Sequence, residues 1–340
     1  MKTLEDKTNN HSSSFSSPVG RLGGAFLNLI RYKNLAIIVC TMCIVRYGII
    51  APMAALTPLG SAVSVELQFP LFHFILLVIA TVSISAAGYI INDYFDISAD
   101  MMNKPEKVIV GKTITRRRAM MLHWIFNGVG VLCGTIVSIA IGHLYFSLIF
   151  VFIAGLLWFY STTFSKEPFI GNIIIAFLVA LVPLITAVYE LLPLNFMYKY
   201  ILLSRFQSFS PILMWCFGFS VFAFLYSLIR EIVKDIEDLE GDAAYGRNTL
   251  PISLGVKNAK IIVLGMYAIS IGALIVVQIL YVAEVFSYLY ISLALAVPTI
   301  ISAYLFRKAQ SAHEYHIVSG SLKLILIAGL LYVVLRNVFV

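Results

Sequence analysis

Apolar residues in this chain come in long, nearly unbroken runs separated by short polar stretches. Nine runs reach roughly twenty residues, the length at which a helix crosses ~30 Å of hydrocarbon. They lie near 35–57, 70–91, 119–140, 143–163, 170–192, 211–229, 259–280, 285–306 and 319–338. The pattern predicts an all-α, polytopic membrane protein of about nine transmembrane helices around a central cavity. The third and fourth runs are parted only around Gly142, and the eighth contains Pro298, which a membrane helix tolerates as a kink. Residues 1–30 are polar, with a serine-rich stretch from Ser12 to Ser17. They read as a disordered tail with no cleavable signal, leaving 31–340 as a single membrane domain.

Composition agrees with the pattern. Of the residues 60% are hydrophobic and 12% charged, and the mean hydropathy is +0.93, whereas soluble domains are about a quarter charged. The charge distribution then sets orientation. Nineteen of the 24 Lys and Arg residues fall in the N-terminal tail and the loops after runs 2, 4, 6 and 8, against Lys199 and Arg205 in the opposite loops. Basic loops stay inside, so that side is expected to face the cytoplasm of a bacterial or archaeal cell membrane. The net charge of +7 is accordingly an orientation signal with affinity for membrane lipids. No basic-aromatic surface suggests nucleic acid, and nothing points to an obligate protein partner.

Cys40 and Cys43 form a CxxC inside an apolar helix, where the spacing reads as small packing residues rather than a redox or metal site. His73, His123 and His143 are too scattered for a metal set, and His313 and His316 are expected in a solvated loop.

Eight of the seventeen acidic residues sit in two short windows, with Glu231 just before the second. The first runs Asn92-Asp93-Tyr94-Phe95-Asp96 on to Asp100, and the second runs Lys234-Asp235-Ile236-Glu237-Asp238 on to Asp242. Carboxylates beside a bilayer are costly unless they pair, bind metal or line water. If the second helix continues past Asn92, then Asn92, Asp96 and Asp100 share one face at four-residue steps. Asp238 and Asp242 repeat the step, with Asp235 one turn earlier. Oxygen-only donors select hard cations, above all Mg²⁺, which is usually held by a few carboxylates plus substrate phosphates. With Lys104, Lys107, Arg230 and Lys234 beside the clusters, the two sets describe a diphosphate site on the cytoplasmic side. Arg116 to Arg118 read mainly as a membrane anchor.

These residues carry a resemblance. Asn92-Asp93-x-x-Asp96-x-x-x-Asp100 with Asn103 and Pro105 resembles the first signature of the UbiA superfamily of intramembrane prenyltransferases. The stretch from Arg230 to Asp242, followed by Gly246, Thr249-Leu250-Pro251 and Gly255, resembles the second. Tyr160-Ser161 with Lys166, Pro168 and Gly171-Asn172 resembles the segment between them. The resemblance implies that Asn92, Asp96, Asp100, Asp238 and Asp242 hold Mg²⁺ bridging a prenyl diphosphate. It also implies that Lys107 and Lys166 contact the diphosphate, with Lys104, Arg230 and Lys234 in support, and that Tyr160 lines the pocket near the allylic carbon. One departure stands out: the family often has arginine where this chain has Lys107, and lysine offers a point charge without the bidentate fork.

Tyr89, Tyr160 and Tyr226 sit near the ends of runs 2, 4 and 6, where ring faces could stabilise a carbocation. The implied reaction moves a prenyl group, geranylgeranyl by the closest wording, onto a lipid acceptor. The second signature most resembles the branch acting on geranylgeranylglyceryl phosphate, with a quinone-type aromatic ring as the alternative acceptor. Asp235 is a candidate base for an acceptor hydroxyl. Arg46 lies deep in the first run with no acid in its own helix, so it is expected either to hold an anionic acceptor or to pair with a backbone carbonyl. Asn34 is a weaker polar candidate. A cation-coupled transporter is the remote reading, disfavoured because transporters bind ions near the bilayer midplane.

Overall fold

The computed structural model describes residues 18–58 and 65–339. Among the described residues the chain is helical without β-strands, apart from an isolated bridge between Val110 and Ile114. Nine helices among them are long and apolar enough to cross a membrane. We number them spans 1 to 9: Tyr32–Ala55, Leu71–Phe95, Arg116–Ala140, Leu144–Thr162, Ile170–Ser204, Ser210–Glu237, Val256–Tyr281, Val285–Lys308 and Ala312–Val338. All nine expected runs are present.

Three boundaries differ from the expectation. Pro18–Leu29 is a helix rather than part of a structureless tail. Its apolar residues Phe26 and Leu29, with Ile30 just after it, close a small core against Ile90, Val110, Ile114 and Ala119, a tertiary partner that local polarity conceals. Residues 1–17 lie outside the described residues. Span 5 runs on to Ser204, well past the apolar run, with Pro183 and Pro193 inside it. Span 9 begins at Ala312, so His313 and His316 are helical, and His316 Nδ1 lies 3.0 Å from Glu237 Oε1.

Lipid gives helices no hydrophobic reason to associate, so close packing and internal polar bonds hold the bundle together. Span 2 buries Ala80, Ser83, Ala86, Ala87 and Gly88; Gly130 of span 3 lies against its Ala80 and Ile84, and Gly134 lies against Phe150 of span 4. On the other side Tyr226 and Tyr267 pair with Thr299 and Ser302 at 2.6 and 2.7 Å. Tyr226 is therefore a fully buried link between spans 6 and 8, and the expectation that it faces a reacting centre does not hold.

Spans 1 and 8 solve the missing N–H of an internal proline in one way. A π-helical segment, Val45–Ile50 in span 1 and Ile291–Ala296 in span 8, ends two residues before Pro52 and Pro298. Proline clashes with the carbonyl four residues earlier, and the widened turn relieves this. In span 1 that carbonyl is Gly48 O, which accepts from Asn337 Nδ2 of span 9 at 2.8 Å. The carbonyl freed by Pro52 thus becomes a bond between spans 1 and 9.

Candidate active site

The two acidic motifs occupy equivalent places. Span 2 ends at Asp96, followed by the short helix Ile97–Asn103; span 6 ends at Asp238, followed by Leu239–Ala244. Each boundary aspartate has nearly the same backbone conformation, φ −90°, ψ 3° for Asp96 and φ −98°, ψ 13° for Asp238. Four-residue bonding nonetheless continues through each break. Asp96 N donates to Asn92 O at 3.0 Å and Asp100 N to Asp96 O at 2.9 Å, while Asp242 N donates to Asp238 O at 3.0 Å. The expected shared face therefore survives a change of helix.

Side chains then join the motifs. Asn103 Nδ2 donates to Asp238 O at 3.3 Å, and its Oδ1 accepts from Gly241 N at 3.1 Å. A Cβ at position 241 would stand 2.1 Å from Asn103 Oδ1, so glycine is required there. Lys104 Nζ lies 2.8 Å from Glu237 Oε1 and 2.7 Å from Asp238 Oδ1. Arg247 bridges the motifs from a third direction, ion-paired with Asp96 and lying 3.4 Å from Asp242 Oδ1. Gly246, at φ +70°, turns the chain so that Arg247 N bonds back to Asp242 O at 3.0 Å. The reverse turn after a helix is the reason for glycine here.

Electrostatics at this mouth are strained. Burial pushes Asp96 up to about 6, only partly countered by Arg247. Asp242 is likewise raised to about 6 by burial against the opposing pull of Arg247. Asp100 is raised by burial and by nearby Asp93. Burial opposes the charge on Lys104, but its bonds to Asp238 and Glu237 prevail and raise it. These carboxylates crowd one another at a real cost that a cation relieves.

The residues fit a hard divalent ion. Their donors are all oxygens, and Asn92 Oδ1 is buried without a hydrogen-bond partner while its Nδ2 donates to Asp96 Oδ2 at 2.9 Å. Arg247 already stands as a cation between one carboxylate of each motif. Among the described residues no three His, Cys, Asp or Glu side chains converge on a single point as placed, so a metal held by Asn92, Asp96, Asp100, Asp238 and Asp242 would draw them together and displace Arg247 from Asp96 and Asp242.

The other expected site residues fall into three groups. Asp235 accepts from Asn172 Nδ2 at 2.8 Å, and Tyr160 lies in electrostatic range of Asp96, Glu231, Asp235 and Arg247. Arg230 and Lys234 both pair with Glu231, at 3.0 and 2.9 Å. Lys107 and Lys166 are exposed on their loops, Lys166 joining the second motif through its carbonyl, which accepts from Asn248 N at 2.8 Å. Tyr89 lies under Arg31, 4.8 Å from its ring centroid, and Arg31 pairs with Asp93 at 2.9 Å.

Arg46 meets the second of its two expectations, a backbone carbonyl, and adds an acid from another span. It pairs with Glu190 of span 5 and donates through Nη2 to Phe69 O at 2.7 Å, on the half of the bundle opposite the acidic motifs. An arginine without an acid in its own helix has found one on another, and both of its terminal nitrogens are engaged. An acceptor-binding role for Arg46 is not supported. The sequence reading also missed Arg247 as a site residue. Its signal was present in the arginine just past the turn glycine Gly246.

Residues 51–326 match the UbiA prenyltransferase family. The chain belongs to this family. It is 31% identical over 209 residues to digeranylgeranylglyceryl phosphate synthase of Methanoregula boonei, covering 59% of this chain and 64% of that enzyme. The enzyme of the same name from Methanothermobacter thermautotrophicus is 32% identical over 249 residues, covering 73% of this chain and 79% of the relative. Among solved structures, one concerning digeranylgeranylglyceryl phosphate synthase in membranes superposes with a TM-score of 0.60 at 24% identity, covering 92% of this chain and 99% of the other. A UbiA homologue from Archaeoglobus fulgidus bound to DMAPP and Mg²⁺ gives a TM-score of 0.53 at 17% identity, covering 91% and 98%. The protein is thus a multi-pass membrane prenyltransferase of the UbiA fold.

Proposed function

We propose that this protein transfers a geranylgeranyl group from geranylgeranyl diphosphate to the free hydroxyl of geranylgeranylglyceryl phosphate, with Mg²⁺, at the cytoplasmic face of the cell membrane. The observation that carries the reading is the joining of both acidic motifs in one mouth by Asn103, Lys104 and Arg247. Relatives near 30% identity bear the name digeranylgeranylglyceryl phosphate synthase, and the nineteen basic residues on the motif side support the cytoplasmic orientation and a cavity opening there.

The chain's residues would divide the work. Asn92, Asp96, Asp100, Asp238 and Asp242 would hold the Mg²⁺, whose charge would offset the negative charge on the departing diphosphate. Lys107, Lys166 and Lys104 add point charges from the loops, and Arg247, once displaced from Asp96 and Asp242, is free to turn to the diphosphate. Tyr160 presents its ring where the allylic carbon gains positive charge. Asp235, oriented by Asn172, accepts the acceptor hydroxyl's proton as the new C–O bond forms. The surrounding apolar helices keep out water, which would otherwise capture the cation.

A transporter reading has no support in the geometry, because the carboxylates sit where spans 2 and 6 end rather than in broken mid-membrane helices. The test is direct. Purified protein with geranylgeranyl diphosphate, Mg²⁺ and geranylgeranylglyceryl phosphate should form the doubly prenylated lipid, and excess EDTA should stop it. Transfer to an aromatic quinone precursor and not to the glyceryl phosphate would replace this acceptor with another.

A further inference from the structure

Span 9 carries a lysine about three turns into the helix and one turn inside its apolar run. Lys323 is half-buried, and its ammonium donates to Asn34 Oδ1 of span 1 at 3.0 Å. Among the described residues no carboxylate pairs with it; the charged groups closest to it in effect are Arg230 and Lys33, both of its own sign. Lys33 has no carboxylate partner there either, lying 6.0 Å from the Tyr32 ring centroid. Arg230 binds Glu231 through Nη1 at 3.0 Å, while its Nε is buried without a partner. Lys234 and Arg31 complete the cluster, the first on Glu231 and the second on Asp93. Of these five cations, Lys323 and Lys33 have no carboxylate partner among the described residues, and Arg230 keeps one nitrogen unpartnered.

A half-buried cation just inside the membrane boundary with no carboxylate partner is costly and marks a place for an anion. Lysine and arginine around a phosphate form charge-assisted bonds that a neutral headgroup cannot match. Lys323, Asn34 and Lys33 lie outside the acidic motifs, whereas Arg230 and Lys234 border the second one and are read above as support for the diphosphate, so the cluster adjoins the diphosphate residues from the side of spans 1 and 9. We propose that Lys323, with Asn34, Lys33 and the free edge of Arg230, binds the phosphate monoester of the acceptor lipid and so selects a phosphorylated acceptor. The inference rests on the acceptor reading above and gives the acceptor's charge the binding place that Arg46 does not provide.

Two assays on the purified full-length protein test it. In transfer assays with geranylgeranyl diphosphate and Mg²⁺, the wild type should prefer geranylgeranylglyceryl phosphate over dephosphorylated geranylgeranylglycerol by at least ~tenfold in kcat/KM, as for loss of one or two charge-assisted bonds. Lys323→Met should bring this ratio to within about threefold of unity by raising the phosphorylated acceptor's KM, with the KM for geranylgeranyl diphosphate within about twofold. Lys323→Arg should keep the preference. An unchanged preference in Lys323→Met overturns the inference while leaving the proposed reaction intact. The second assay needs no turnover: lysophosphatidic acid, a phosphate-monoester lipid, should raise the melting temperature of the wild type and not of Lys323→Met. Equal protection of both proteins, or equal protection of the wild type by phosphatidylglycerol, overturns it, the latter by showing a surface for bulk anionic lipid. If the wild type binds lysophosphatidic acid through Lys323 yet transfers to neither acceptor, the site stands and the proposed reaction fails. Should Lys323→Met not fold, the double variant Lys33→Ala/Asn34→Ala carries the same comparisons.

Discussion

Asn103 and Gly241, 138 positions apart, hold the two acidic motifs together: the Asn103 amide oxygen accepts the Gly241 N–H at 3.1 Å while its Nδ2 reaches Asp238 O. One side chain on the first motif thus fixes the backbone of the second. Because a Cβ at 241 would stand 2.1 Å from Asn103 Oδ1, the close approach is available only to glycine.

We expect Gly241→Ala and Asn103→Ala each to lower kcat by at least ~100-fold, because misplacing catalytic groups by about 1 Å can cost that much. Bundle stability should hardly change, since neither residue lies between membrane spans. Steady-state kinetics alongside a thermal melt in detergent would check this. Near-normal kcat in both variants would mean the two motifs need no fixed register.

The bundle was legible from hydropathy alone, because nine apolar runs leave little choice of element. Asp96, Asp100, Asp238 and Asp242 were legible because four-residue spacing persists in the bonding even where the helices break. Arg247 was not. Its place depends on Gly246 reversing the chain, and no periodicity marks a side chain that arrives from a loop. Arg46 was legible in part: its bond to a backbone carbonyl was one of two expectations, but its counter-ion Glu190 is 144 positions away on another span, and local sequence cannot pair two helices.

That pair yields a second prediction. Arg46 and Glu190 are 5% and 0% exposed at the side chain, so removing one partner strands a buried charge. Arg46→Leu or Glu190→Leu alone should cost about 3–5 kcal/mol of stability. The double variant Arg46→Leu/Glu190→Leu should recover most of it, since no unpaired charge remains. The acceptor KM should stay within about twofold of wild type in every folded variant, there being no substrate role to lose. Thermal melts over the double-mutant cycle, with acceptor titrations, would decide it. A large rise in acceptor KM in the stable double variant would restore Arg46 to the substrate.

Metal binding should weaken in acid. Asp96 and Asp242 are held near 6 in the metal-free fold, well above the usual carboxylate value of about 4. The metal needs both ionised, so protons compete with it below about pH 6. Between pH 7.5 and pH 5 apparent Mg²⁺ affinity should fall by up to about tenfold for each of the two groups. The stability sign is opposite. A carboxyl whose folded value is raised binds its proton better in the folded state, so the metal-free protein should gain stability as pH falls from 7 through 6 toward 4. Mg²⁺ titrations followed by thermal shift at several pH values read both effects. An affinity flat across this range would place the ion on other donors.

Orientation is the last test, because the proposed mouth has meaning only if both motif loops share a compartment. Thr113, after the first motif, and Ala244, after the second, are exposed, while Phe206 is 97% exposed in the loop between spans 5 and 6. Nine crossings put positions 113 and 244 on one side and 206 on the other. The nineteen-to-two basic imbalance assigns the first side to the cytoplasm. The four native cysteines are free, so they must first be replaced, after which Thr113→Cys, Ala244→Cys and Phe206→Cys can be made one at a time. A membrane-impermeant maleimide added to intact cells should label only the cysteine at 206, and lysed cells should show all three. Labelling of 113 and 244 from outside, with 206 protected, would invert the protein while keeping a shared mouth. Labelling of 113 without 244 would separate the motifs across the bilayer and end the proposal that they act on one diphosphate.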